Sequence, residues 1–189
     1  MAPVLGIWAS SFNSRTFQPT GSYDALATYT VPSGGVSSIT FAGLPTGGQY
    51  THLQLRFIAR NDTGVSGLYF QFNNDSSSSY SYHRLVGNGS AASANGSATQ
   101  TYGQILSQSG IPSATSTFAA SIIDILDYAN TSKYKTVRSL SGYDGNGSGG
   151  IAFESDSYQK TNAINSIFIA NNTNNFAQYS QFSLYGVKG

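Results

Sequence analysis

Tyr50-Thr-His-Leu-Gln-Leu-Arg-Phe-Ile-Ala-Arg60 decides the fold class. Leu53, Leu55, Phe57 and Ala59 fall on one side of a two-residue repeat. His52, Gln54, Arg56 and Arg60 fall on the other, with Ile58 the exception. Such alternation is the signature of a β-strand with one face against a core and one in water. Leu68, Phe70 and Phe72 repeat it around Tyr69 and Gln71. Further strands are expected over 22–31, 36–41, 80–86, 118–126, 136–140, 150–153, 164–170 and 178–187.

The connections carry turn chemistry. Pro32-Ser-Gly-Gly35, Pro45-Thr-Gly-Gly48, Asn73-Asn-Asp75, Asn88-Gly89 and Asn146-Gly147 supply fixed φ or tolerate positive φ. About ten short strands at this spacing point to an all-β antiparallel sandwich, jelly-roll-like in topology. Phe118–Tyr128 has the apolar content of a helix, but the turn at Asn130–Lys133 and the renewed alternation after it favour a hairpin. Gly87–Thr101, mostly Gly, Ser, Ala and Asn, reads as a long surface loop. The chain divides into an N-terminal arm, 1–20, and one sandwich domain, 21–189.

Only 9% of the 189 residues are charged, against about a quarter in an ordinary domain. Disorder is excluded by the 39% hydrophobic and 13% aromatic content. A net charge of +1 from scattered residues argues against a nucleic-acid partner, which needs a basic stripe to neutralise phosphates. The absence of cysteine removes disulfides, thiolate metal sites and thiol nucleophiles together. No stretch approaches a membrane-spanning helix, and the apolar run Ala2–Ala9 lacks the cationic lead of a signal peptide.

Catalytic constellations are sparse. Asp124 and Asp127, three apart, point to opposite faces of a strand, whereas Glu154 and Asp156 share a face expected to meet solvent. No Gly-x-Ser-x-Gly elbow occurs, and only His52 and His83 could serve as a base. His83 is read as a strand histidine beside the core or a subunit contact. Asp144-Gly-Asn-Gly-Ser-Gly-Gly begins like a calcium loop, but Ser155 stands where the bidentate Glu belongs, so a glycine-rich hairpin turn is expected. No catalytic residue, metal or cofactor is expected. Arg84-Leu-Val-Gly-Asn-Gly-Ser and Ser139-Leu-Ser-Gly-Tyr-Asp-Gly-Asn-Gly-Ser share Leu-x-Gly followed by Asn-Gly-Ser. Chance in so biased a composition explains that echo as well as two matching strand ends do.

What remains is surface. Thirteen tyrosines with few charges suit a buried interface, where aromatics are enriched and Lys and Glu depleted. The arm residues Val4, Leu5, Ile7 and Trp8, and the strand residues Tyr80, Tyr82 and Arg84, are the candidate contacts. A neutral surface rich in Tyr, Ser and Asn also suits a sugar ligand. Asn88, Asn95, Asp144 and Asn146 are the candidate ligand-loop residues.

Leu5-Gly-Ile-Trp-Ala-Ser, Ser22-Tyr-Asp-Ala-Leu-Ala-Thr-Tyr-Thr-Val and Gly34-Gly-Val-Ser-Ser-Ile-Thr-Phe resemble the opening of a group of uncharacterised tailed-phage proteins. The resemblance continues through Tyr50-Thr-His-Leu-Gln-Leu-Arg, Tyr82-His-Arg-Leu-Val-Gly-Asn-Gly-Ser and Ile123-Asp-Ile-Leu-Asp-Tyr-Ala-Asn, and closes with Asn175–Lys188. It implies a virion component of a phage of cyanobacteria or other aquatic bacteria, and it carries over no catalytic residue. The expectation is a non-enzymatic capsid decoration (cement) protein on the outer head. It would be a homo-oligomer, a trimer, in contact with the major capsid protein. The alternative is a tail-fibre or receptor-binding module that recognises host glycans.

Overall fold

The computed structural model describes residues 22–106 and 110–189. Their twelve strands form two antiparallel sheets. The strands are β1 (Tyr23–Thr30), β2 (Ser38–Ala42), β3 (His52–Ala59), β4 (Leu68–Phe72), β5 (Tyr80–Gly87) and β6 (Ala92–Gln100). They continue as β7 (Gly103–Ile105), β8 (Ala119–Leu126), β9 (Lys135–Asp144), β10 (Gly149–Tyr158), β11 (Ser166–Asn171) and β12 (Gln181–Val187). The large sheet runs β1-β12-β3-β8-β9-β10-β5-β6 and the small one β2-β11-β4-β7.

Set aside two hairpins, β5–β6 and β9–β10, and the chain alternates between sheets in the orders β1-β12-β3-β8 and β2-β11-β4-β7. That is the four-plus-four jelly roll. The two hairpins extend the first of these sheets to eight strands.

The core follows the alternation. Leu53, Leu55 and Phe57 of β3, with Phe182 and Leu184 of β12, face Phe70, Phe72, Ile167 and Ile169 of the small sheet, all buried. Tyr80 and Tyr158 stack at 4.8 Å between ring centres, next to Phe72. Tyr80 accepts a 2.9 Å hydrogen bond from the Phe72 amide, so its polar tip is satisfied inside the core. Lys135 is fully buried, and its ammonium donates to the carbonyls of Asn130, Lys133 and Thr161, tying the β8–β9 turn to the chain that follows β10.

The hairpin expected from 118–140 is present, as β8 and β9 paired from Ala120↔Gly142 to Leu126↔Thr136. The glycine-rich segment after Asp144 is the turn of the β9–β10 hairpin, closed by Gly145 N–H donating to Ser148 O at 2.7 Å. One expectation fails here. Gly87–Thr101 is not a loop: Ala92–Gln100 forms β6, the free edge of the large sheet. Most of its residues are exposed on both faces, so no buried face imposes the two-residue rhythm that would have revealed it. β7 is only three residues long and equally silent.

Candidate docking face

β9 and β10 are built inside out. On β10, Ala152, Glu154, Asp156 and Tyr158 point into the sandwich, while Ile151, Phe153 and Ser155 point out. Glu154 and Asp156 are 0% and 2% exposed, against 56% for Ile151 and 50% for Phe153. On β9, Ser139 and Ser141 are buried and Leu140 is 51% exposed. On β5, half-buried Arg84 lies on the inner face and Leu85 on the outer. This corrects the solvent position expected for Glu154 and Asp156.

The inward polar groups have a physical use. β7 pairs with β4 along one side only, and its other edge offers unpaired N–H groups. Asp156 Oδ1 accepts from the Gln104 amide at 3.0 Å, and Glu154 Oε2 from the Leu106 amide at 2.9 Å. The carboxylates thus stand where a further strand would have bonded. Ser139 donates to Glu154 at 3.3 Å, and Arg84 Nη1 donates to Gln104 Oε1 at 2.9 Å. Burial, reinforced by Glu154 nearby, pushes the Asp156 carboxyl well above the usual range, although the Gln104 amide and Arg84 oppose it.

The outward side is apolar. Register places Ile122, Leu140, Phe153, Leu85 and Ala94 in one rung across β8, β9, β10, β5 and β6. The next rung reads Ile58, Ala120, Gly142, Ile151, Gly87 and Ala92. A groove of about 810 Å³ lies on this face, floored by Ile122, Leu140, Gly142 and Ile151 and rimmed by Asn88 and Asp144. A second, of about 450 Å³, runs between His83, Leu85, Asn95 and Phe153. The rung on the far side of the first is polar: Gln54, Asp124, Arg138, Ser155 and His83. Asp124 accepts from Gln54 at 2.7 Å and pairs with Arg138 at 3.6 Å.

The sequence-expected residues distribute unevenly over this site. Tyr80 is spent on the core, and Tyr82 and Arg84 sit half-buried on the inner face of β5, the guanidinium 5.0 Å over the Tyr82 ring. None of the three faces outward as a contact. Val4, Leu5, Ile7 and Trp8 lie outside the described residues. Asn88 and Asp144 both line one groove; Asn95 lines the other, and Asn146 sits at positive φ in the turn. Asp127 pairs with Lys133 at 2.9 Å, away from Asp124's partners. His83 is exposed on the outer face, its ring close over Gly96, where an added Cβ would lie 2.6 Å from the imidazole. Sequence reasoning missed Leu85, Leu140, Ile151 and Phe153 because apolar residues on an alternating strand are assigned inward by default. No sequence signal separates the two orientations: Glu154 and Asp156 alternate with Ile151 and Phe153, and the β7 edge that takes the carboxylates leaves no trace of its own. Among the described residues no cluster of three metal-ligating side chains occurs. No protein-family model, curated protein or solved structure matches the chain.

Proposed function

We propose that this chain is a non-enzymatic capsid decoration (cement) protein of a tailed phage, bound to the outside of the head. One observation carries the reading: β10 buries two carboxyl groups and β9 two serines, while both strands expose aliphatic or aromatic side chains. Exposing such groups has no benefit to an isolated domain and is the mark of a contact surface. The low charge of the chain agrees, since a protein held in a lattice does without colloidal repulsion. On this reading the protein covers the seams between major capsid subunits and offsets internal pressure by burying further area. The sequence resemblance supplies the phage context. Quantitative mass spectrometry of purified virions tests it: a copy number near parity with the major capsid protein is expected. A ratio of a few per cent would place the protein in the tail, and absence would refute both locations.

A specific observation favours a second reading, a receptor-binding module for host glycans. Asn88 and Asp144, from different hairpins, share the rim of the larger groove. Its floor is aliphatic, whereas a sugar site needs an aromatic platform and convergent polar groups. Glycan-array binding lost on Asp144→Ala and Asn88→Ala would decide for this reading.

A further inference from the structure

We propose that the outer face of β8, β9, β10 and β5 is a two-fold, self-complementary interface between two copies of this chain. The inference deepens the assembly reading but is tested on the isolated protein.

Leu-x-Gly occurs twice on this face. Leu85-Val-Gly87 and Leu140-Ser-Gly142 lie on the two strands that flank β10. Their registers coincide: Leu85 and Leu140 both oppose Phe153, and Gly87 and Gly142 both oppose Ile151. On β8, Ile122 and Ala120 continue the same two rungs. One rung is therefore large (Ile122, Leu140, Phe153, Leu85) and the next small (Ala120, Gly142, Gly87), with Ile151 its one bulky member.

Consider a two-fold axis lying in the plane of contact, parallel to the rungs and midway between them. It sets each strand antiparallel to the same strand of the partner copy. Leu140 then meets the partner's Gly142, Leu85 meets the partner's Gly87, and Ile122 meets the partner's Ala120. Phe153 meets the partner's Ile151. Three large side chains enter three gaps, twice over. One step outward the same operation sets Arg138 against the partner's Asp144, both exposed on the outer face. An uncharged stripe demands an uncharged complement; of the other exposed large apolar side chains among the described residues, Val65, Tyr134 and Tyr179 sit on loops and Tyr23 and Tyr29 on the edge strand β1.

Area agrees. Ile58, Leu85, Ile122, Leu140, Ile151 and Phe153 are about half exposed, which amounts to on the order of 500 Å² of apolar surface. With the polar rim this approaches the roughly 800 Å² per partner of a standard interface. A net charge of +1 per chain leaves little repulsion between copies. A closed two-fold contact joins two copies, in place of the three expected from sequence.

Sedimentation equilibrium on the intact chain and its variants tests this, with circular dichroism and the melting curve as the check on fold. The expected result is a dimer with a micromolar dissociation constant that falls apart on dilution. Phe153→Lys should raise that constant at least tenfold. Ala120→Trp adds apolar surface at an exposed site but fills the gap that receives Ile122, so it too should weaken the dimer. A merely sticky patch would instead associate more tightly. Arg138→Asp and Asp144→Arg should each weaken it several-fold, and the double exchange should recover the loss. Should a charged variant fail to fold, Phe153→Ser and Leu140→Ser are measured in its place. A chain that stays monomeric up to about 100 μM, where such a contact is populated, would overturn the proposal. So would a trimer, or variants that fold and still dimerise. None of these outcomes touches the virion reading, which copy number tests separately.

Discussion

Asp156 accepts one backbone hydrogen bond, and its second oxygen is buried without a partner. Its folded-state pKa lies well above the 3.8 of the unfolded chain, chiefly through burial. The protonated form is the one the fold prefers. Its contribution is therefore complete below about pH 3.8 and is lost as pH rises through the raised value. Asp156→Asn mimics the protonated group and keeps an acceptor for Gln104. Thermal melts of this variant should show a higher Tm than wild type at pH 7, and no gain below pH 4, near the ordinary carboxylate value. Gly103 is set by a different constraint. A Cβ there would lie 2.0 Å from the Phe70 ring, so β7 can approach the core only as glycine. Gly103→Ala should cost about 1–3 kcal/mol by urea denaturation, as overpacking does. Neither residue was legible in the sequence. A buried acid reads like a solvated one until the strand edge it caps is known, and a glycine in a glycine-rich chain carries no flag.

At the scale of elements, legibility followed burial. β3, β4 and β8 each bury one face and leave the other at least partly open; β3 and β4 are readable from alternation, β8 only from the turn and strand that follow it. β6 buries neither face and left no rhythm to read. β9 and β10 are legible as strands, but the solvent face expected for Glu154 and Asp156 on β10 is inverted in the structure, because alternation gives the period and not which face is inside. This inversion has a direct consequence for stability. At concentrations where the chain is monomeric, Phe153→Ser should shift the unfolding free energy by less than about 0.5 kcal/mol, as an exposed site does. Phe57→Ala, in the core, should cost about 3–5 kcal/mol. Denaturant curves of the two variants make the comparison. A large loss from Phe153→Ser would mean that the residue packs inside.

For the whole molecule, the eight-strand jelly-roll topology closes without β5, β6, β9 and β10, yet this addition also feeds the core through Tyr80, Val137 and Tyr158. The sandwich class followed from the sequence; the strands β6 and β7 and the eight-to-four division of the sheets did not, because unburied or very short strands carry no rhythm and pairing partners far apart in the chain leave no local trace. The addition supplies the docking face and, through Glu154 and Asp156, closes the edge of the small sheet. A dimer formed by that face links stability to concentration. The wild-type Tm should therefore rise between dilute and concentrated samples, and that of Phe153→Lys should not. Differential scanning calorimetry over a hundredfold concentration range would show it.

The orientation of β10 is directly measurable, because the chain has no native cysteine. Ile151→Cys, Ala152→Cys and Phe153→Cys each introduce one thiol, whose reaction with a maleimide in the folded, dilute protein reports which face it occupies. Rapid labelling is expected at positions 151 and 153, with protection at 152 until the chain is unfolded. Protection at 151 and 153 with rapid labelling at 152, at every concentration, would contradict that orientation.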